Sequence, residues 1–253
     1  MENFWPARFV FAKFFHAMEK SFPHRGKNQP AISPWQIGVR SARANLVPGL
    51  VLQALAIAFV GAYYFWPAFH GWLQVLVDWQ NRGGVVFSIG TRMVFNGVIP
   101  AVFTALIPEL RLRRPWAGLV FGLIWWGFMG ANTHWFYTGQ AYLWGTAADW
   151  RTVILKTATD MLVYSPFYAS PLVALAHLWQ DQNYSFRATR VLLGRGWYRR
   201  LVLPNTVSGW AFWTPCLLVL YALPTALQMP LSAILGSFWA LMCLQIARRT
   251  PAS

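Results

Sequence analysis

Charged residues are scarce in this chain. They make up 11% of its 253 residues, whereas soluble globular domains carry about 25%. So little charge cannot cover the surface of a water-soluble fold, and this excludes a soluble enzyme or binding domain. Disorder is excluded as well, because 17% of the residues are aromatic and unfolded chains are poor in aromatic side chains. The composition is typical of an integral membrane protein.

Acidic residues and cysteines are scarcer still. The seven Asp and Glu residues lie mostly in separate segments, which leaves no pair of carboxylates for general acid–base catalysis. No zinc-protease, nucleophile-elbow, CxxC, P-loop or dinucleotide-binding motif occurs in a fitting context. The two cysteines, Cys216 and Cys243, lie inside apolar runs and do not form a disulfide framework. We therefore expect no catalytic residues, no metal site, no cofactor, and a protein that is not an enzyme.

Long apolar runs are what the chain has in abundance. Each is long enough for a membrane-spanning helix, which needs about 20 residues. The runs cover residues 46–69, 85–107, 116–144, 152–179, 201–223 and 225–247. They predict an all-α fold, a polytopic transmembrane helical bundle of about six segments over 45–249. The residues from Trp72 to Arg82, between the first two runs, are predicted to form a hydrated connection.

The connection between the last two runs is very short, and Pro224 and Pro230 bracket it. If the hairpin 221–230 reaches the far surface of the bilayer, six segments cross the membrane. If it does not, the last two runs form a re-entrant or broken pair and the number falls towards four. Both alternatives stay open at this point.

Basic residues are concentrated at alternate ends of the apolar runs. Seventeen of the 21 Lys and Arg residues lie in 1–44, 111–114, 187–200 and 248–249. The positive-inside rule then predicts that both termini face the cytosol or an equivalent compartment. The formal net charge of +14 thus reports topology rather than nucleic-acid binding. We expect the lipid bilayer to be the partner, with anionic lipid headgroups at the basic loops.

Residues 1–44 combine basic and aromatic side chains. Phe4, Phe11, Phe15 and Met18 recur at helical spacing, which favours an arm that lies as a helix in the headgroup region. A targeting presequence is the alternative, and the two acidic residues of the arm argue against it. The sequence leaves open whether the membrane is a bacterial plasma membrane or an organelle membrane, and whether the protein is a homo-oligomer.

Polar side chains inside the apolar runs mark the candidate site, because such residues are costly in a bilayer. These residues are Arg92, His134, Tyr137, Lys156, Asp160, Tyr164 and Gln228. The spacing of four from Lys156 through Asp160 and Tyr164 to Tyr168 predicts one shared helix face. One interpretation is a hydrated path lined by these side chains. The other is an ion pair between Asp160 and Lys156 or Arg92 that holds the helices in register.

Small residues recur at intervals of four in two of the runs. Gly118 and Gly122 have GxxxG spacing, and Ser232, Gly236 and Ala240 form a second stripe. Such stripes let helix backbones approach closely. We predict that both are packing faces.

Three short patterns occur in order within 118–247. The first is GANTHWFY at 130–137, the second is a Lys, an Asp and a Pro within 156–166, and the third is Pro224 with Trp239 fifteen residues later. Their order and spacing resemble the twenty-two-kilodalton peroxisomal membrane protein family, which includes mitochondrial inner-membrane relatives. The chain resembles a divergent, N-terminally extended member. The resemblance implies a helical membrane protein associated with pores or channels for small solutes, organelle maintenance or stress tolerance.

Two functions follow as expectations. The first is a pore or channel for small solutes, which the polar residues of the fourth run and the family resemblance both favour. The alternative is a non-conducting structural or adaptor membrane protein. Its support is the abundance of tryptophan, at 16 residues, and the loss of polar residues from the closing pattern of the family.

Overall fold

The computed structural model describes residues 33, 35, 36, 39, 43, 46–106 and 115–249. Within this part of the chain the fold is all-helical and has no β-strand, which confirms the all-α part of the prediction. The predicted arm 1–44 lies outside the described residues except at positions 33, 35, 36, 39 and 43. The basic connection 107–114 also lies outside them.

The helices follow the apolar runs closely. The α-helices are α1 Leu46–Phe65, α2 Pro67–Arg92, α3 Ile99–Leu106, α4 Pro115–Trp144, α5 Trp150–Thr159, α6 Ser170–Asp181, α7 Phe186–Leu192, α8 Leu203–Tyr221 and α9 Thr225–Arg249. Segments of π-helix join some of them. These are π1 Met93–Val98, π2 Asp160–Ala169 and π3 Tyr198–Val202.

The stretch between the first two apolar runs differs from the prediction. Trp66 has an extended backbone, and Pro67 begins α2, because proline fits the first turn of a helix and cannot continue the one before it. The connection predicted from Trp72 to Arg82 is helical, since these residues form part of the first half of α2. Apolar and polar side chains recur in this stretch with the period of a helix. Leu73 is buried in the core as a result.

A kink divides α2 at Gly84. Its backbone angles, φ +51° and ψ −127°, belong to a region that residues with a side chain rarely adopt. The amide of Gln80 spans the kink and donates both to the Gly84 carbonyl and to the hydroxyl of Ser88, at 3.0 Å each. The chain therefore changes direction at Gly84. The second apolar run begins directly after the kink, at Val85, which is the start that the sequence predicts.

Prolines accompany the two longer π-helical segments. Pro166 lies inside π2, and Pro100 follows π1 closely. Because proline has no N–H for the carbonyl four residues earlier, the turn before it is free to widen. π-Turns are frequent at functional sites, and here they carry Asn96 and Asp160.

Glycines allow α4 to lie directly on α2 and π1. A Cβ at Gly130 would lie 2.8 Å from the carbonyl oxygen of Ser88 and 2.9 Å from Cα of Ile89. Gly97 and Gly122 face each other across the next contact, since a Cβ on Gly97 would lie 3.5 Å from the Gly122 carbonyl oxygen. The predicted packing face is thereby confirmed at Gly122.

The turn between α8 and α9 is buried inside the protein. Leu223 is 3% exposed, Leu227 is fully buried, and both belong to the main apolar cluster together with Leu73 of α2. The hydroxyl of Tyr64 donates to the carbonyl of Ala222 at 2.6 Å. Side chains of α1 and α2 therefore cover this turn.

Two helical stretches are long and apolar enough to cross a membrane, Pro67–Leu106 and Trp150–Gln180. Large apolar side chains on several helices are exposed, among them Phe65, Ile124 and Phe167, at 89%, 69% and 76%. An apolar surface of this kind indicates association with a membrane.

Candidate functional site

Arg92 ends α2 inside the bundle, with only 8% of its surface exposed. Its Nη2 donates to Oγ of Ser232 in α9 at 2.8 Å, and its Nε is buried without a hydrogen-bond partner. The backbone of α9 approaches at Gly236, where a Cβ would lie 3.5 Å from Nη1 of Arg92. A cation is thus held by a neutral hydroxyl, with one donor unused.

Asp160 begins π2 and is 7% exposed. Its Oδ2 accepts a hydrogen bond of 2.8 Å from the hydroxyl of Tyr221, and that hydroxyl accepts one of 3.0 Å from Nε2 of Gln140. No Lys or Arg nitrogen in the described part of the chain lies within 4.0 Å of the carboxylate. The predicted ion pair with Lys156 or Arg92 is therefore not formed, because Tyr221 occupies the carboxylate instead.

Lys156 lies beside the same tyrosine. It is 2% exposed, and its Nζ is 5.9 Å from the centroid of the Tyr221 ring. That distance is at the limit of about 6 Å for a cation–π interaction. The ring of Tyr221 therefore contacts the cation while its hydroxyl holds the anion Asp160.

Arg92 and Asp160 both reach one internal cavity of about 190 Å³. The polar residues that line it include Arg92, Thr133, Tyr137, Asp160, Tyr164 and Asn205. Along α8 the lining extends from Asn205 to Leu217, which is about 18 Å at ~1.5 Å per residue. The cavity is therefore elongated along the helix axis, over more than half of a hydrocarbon core of ~30 Å.

Two tyrosines form an aromatic wall of the cavity. The ring of Tyr164 stacks on Phe136 with centroids 3.9 Å apart, and its hydroxyl is buried beside Thr133. Tyr137 packs edge-on against Tyr221 at 5.5 Å. Tyr168 points elsewhere, since it is 38% exposed and donates to Oδ1 of Asn132 at 2.6 Å. Of the residues predicted to share a face, Asp160 and Tyr164 line the cavity.

The remaining predicted residues lie outside the cavity. Nδ1 of His134 is 3.0 Å from Oγ of Ser88, so this histidine joins the hydrogen bonds at the kink of α2. Nε2 of Gln228 donates to the carbonyl of Leu223 at 2.8 Å and stabilises the turn before α9.

A capping residue fixes the start of the helix that leads to Lys156 and Asp160. The carboxylate of Asp149 accepts hydrogen bonds from the backbone N–H and the hydroxyl of Thr152, at 3.1 and 2.8 Å. These bonds lower the pKa of Asp149 below its usual value, and the bond from the backbone N–H of Thr152 has the largest effect.

Several polar residues of the site escape sequence reasoning. Asn96 is 3% exposed and donates to the carbonyl of Ala233 at 3.3 Å; its spacing of four from Arg92 is a signal that could reveal it. Gln140 lies three residues after Tyr137 and offers a similar signal. Tyr221 offers none, because a tyrosine at the end of an apolar run is an ordinary interfacial residue.

Comparisons of the chain with models of known protein families, with curated proteins and with solved structures found no match. The family resemblance therefore stays a prediction. In the described part of the chain no group of three or more His, Cys, Asp or Glu residues could hold a metal ion. One cation, one anion and an unpaired N–H group around a cavity are suited to holding water or a small polar molecule.

Proposed function

We propose that the protein is a multi-pass membrane protein whose internal cavity is part of a path for small polar solutes. The membrane assignment is supported by the two long apolar stretches and by the exposed apolar side chains on helices that follow the predicted runs. The distribution of basic residues supports a topology of about six segments with both termini on the basic side. The resemblance to the peroxisomal membrane protein family points to the same function.

The elongated cavity, with two charged side chains in its lining, is the observation that carries this proposal. A charged side chain inside a membrane protein is expensive and usually lines a water-filled cavity or substrate path. Arg92 and Asp160 lie in the same cavity without an ion pair between them. An ion pair that only held helices together would bring the two groups into contact.

The cavity leads towards the basic side of the protein. Asn205, at one end, lies in the first turn of α8, just after the basic segment 187–200. At the other end Asp160 is bonded to Tyr221, next to the buried turn of the last hairpin. On this proposal, the structure is a closed form of the path, and passage requires the turn between α8 and α9 to move.

The same buried turn favours a second candidate, a non-conducting structural or adaptor protein. Its apolar cluster, with Leu223 and Leu227, closes the bundle on this side. In a scaffold this closure would be permanent, and the cavity would hold only water.

Solute entry into proteoliposomes separates the two candidates. Vesicles that contain the full chain should swell faster in glycerol or urea than empty vesicles, as followed by light scattering. Ala169→Trp should slow entry, because Ala169 lines the cavity. Val163→Trp is the matched control, since Val163 lies in the same π2 segment but is 58% exposed. Swelling equal to that of empty vesicles would support the scaffold instead.

A further inference from the structure

We propose that the cavity is a binding site for a small zwitterionic solute of the amino-acid class, with the carboxylate on Arg92 and the ammonium group on Asp160. This inference rests on the proposed solute path and names the class of solute that would occupy it. Its basis is that Arg92 and Asp160 are each hydrogen-bonded to a neutral side chain and make no direct ion pair with each other.

The charged groups of Arg92 and Asp160 are each hydrogen-bonded to a neutral hydroxyl group. Ser232 holds Nη2 of Arg92, and Tyr221 holds Oδ2 of Asp160, both at 2.8 Å. These anchors lie on two different helices, α9 and α8, and no direct ion pair joins the two charged groups. Both groups therefore stay available to a solute in the cavity that they line.

The unpaired N–H group of Arg92 is a hydrogen-bond donor suited to a carboxylate. Nε of Arg92 is buried without a partner, and Arg92 lines the cavity. A guanidinium binds a carboxylate through two N–H groups at once. A bound carboxylate would therefore satisfy a donor that the protein itself leaves unpaired.

Charge balance selects a dipolar solute over a simple ion. Among the residues that line the cavity, one side chain is formally positive and one is formally negative, so a simple anion or cation would pair with one of them and leave the other without a counter-charge. A zwitterion adds no net charge and pairs both groups. The size also agrees, because ~150 Å³ is enough for benzene and the cavity here measures about 190 Å³. Glycine, alanine and serine fit this volume, whereas tryptophan does not.

Binding of tritiated glycine to the full chain in detergent tests the proposal. Unlabelled alanine should compete well, while acetate and methylammonium should compete at least about tenfold more weakly, since each lacks one of the two charged hydrogen-bonding groups. Tryptophan should not compete. Acetate that competes as well as alanine, or the absence of any saturable glycine binding, would overturn the proposal.

Matched variants locate the site. Arg92→Met and Asp160→Asn should each weaken glycine binding by about tenfold or more, and Asn keeps an oxygen that Tyr221 can still donate to. Arg151→Met removes an exposed cation near the start of α5 that does not line the cavity, and it should leave the affinity unchanged. If Arg92→Met does not yield folded protein, Arg92→Lys replaces it, because Lys keeps the charge but loses the two-pronged contact. Equal binding by the Arg92, Asp160 and Arg151 variants would contradict the assignment.

The two proposals fail in different ways. Glycerol entry into proteoliposomes without glycine binding would refute the zwitterion site and leave the solute path. Saturable glycine binding without any solute entry would refute the path and leave the binding site.

Discussion

Tyr221 is the residue on which the buried charges depend. Its hydroxyl donates to Asp160 and accepts from Gln140, and its ring faces Nζ of Lys156. Buried charges are costly unless they are paired or hydrogen-bonded. Here a single phenol contacts one charge of each sign, in place of a direct ion pair.

Removing this hydroxyl should therefore destabilise the protein. Tyr221→Phe leaves the carboxylate of Asp160 without the donor it has in the structure, which should cost about 1–3 kcal/mol. We expect a lower midpoint of thermal unfolding in detergent. Tyr142→Phe is the control, because Tyr142 is 90% exposed and should unfold like the wild type. Equal midpoints for the two variants would show that the bond to Asp160 is not stabilising.

Part of the site could be predicted from the sequence. Arg92, Tyr137, Asp160 and Tyr164 stand out because polar groups are rare in apolar runs, and all four line the cavity. The partner of Asp160 could not be predicted, because a hydroxyl donor leaves no charge pattern in the sequence. In the structure Tyr221 donates a hydrogen bond to this carboxylate, which makes no direct ion pair.

At the scale of elements, close contact between α2 and α4 positions Arg92. A Cβ at Gly130 would lie 2.8 Å from the Ser88 carbonyl oxygen and 3.1 Å from Cβ of Arg92. The contact lies just after the kink at Gly84, where Gln80, Ser88 and His134 are joined by hydrogen bonds. The direction in which Arg92 enters the bundle therefore depends on both the kink and the glycine.

Gly130→Ala should separate the two helices. Because its Cβ would meet backbone atoms that cannot move aside, we expect a loss of about 1–3 kcal/mol and a lower unfolding midpoint. Gly139→Ala is the matched control in the same helix, since a Cβ there has no atom within 4 Å. It should be neutral or stabilising by up to about 1 kcal/mol, from helix propensity alone. Identical shifts for the two variants would contradict the close contact.

The helices themselves were largely predictable, because apolar runs of sufficient length leave little choice but helix. The first half of α2 is harder to predict. Its polar residues are typical of a hydrated connection unless their helical period is considered. The kink at Gly84 depends on a backbone conformation that a single glycine permits but does not require. The π-helical segments depend on tertiary packing around Pro100 and Pro166, which local sequence does not specify.

For the whole molecule, the two ends of the bundle differ. The polar cavity extends towards Asn205 and the basic segment, whereas the turn around Leu223 closes the opposite side with apolar side chains. On the proposed function, this asymmetry corresponds to a closed form of the solute path, sealed at the end near Leu223.

The reaction of introduced cysteines with a charged, membrane-impermeant thiol reagent tests whether the cavity is hydrated within a membrane. In a background with Cys216→Ala and Cys243→Ala, Ser165→Cys lines the cavity, while Leu162→Cys lies in the same π2 segment and is 62% exposed on the apolar outer surface. In proteoliposomes we predict that the reagent modifies the Ser165→Cys protein from the basic side and leaves the Leu162→Cys protein unmodified, because only the first thiol is in contact with water. Modification of the Leu162→Cys protein alone, or of both at equal rates, would contradict a membrane-embedded bundle with a hydrated path inside it.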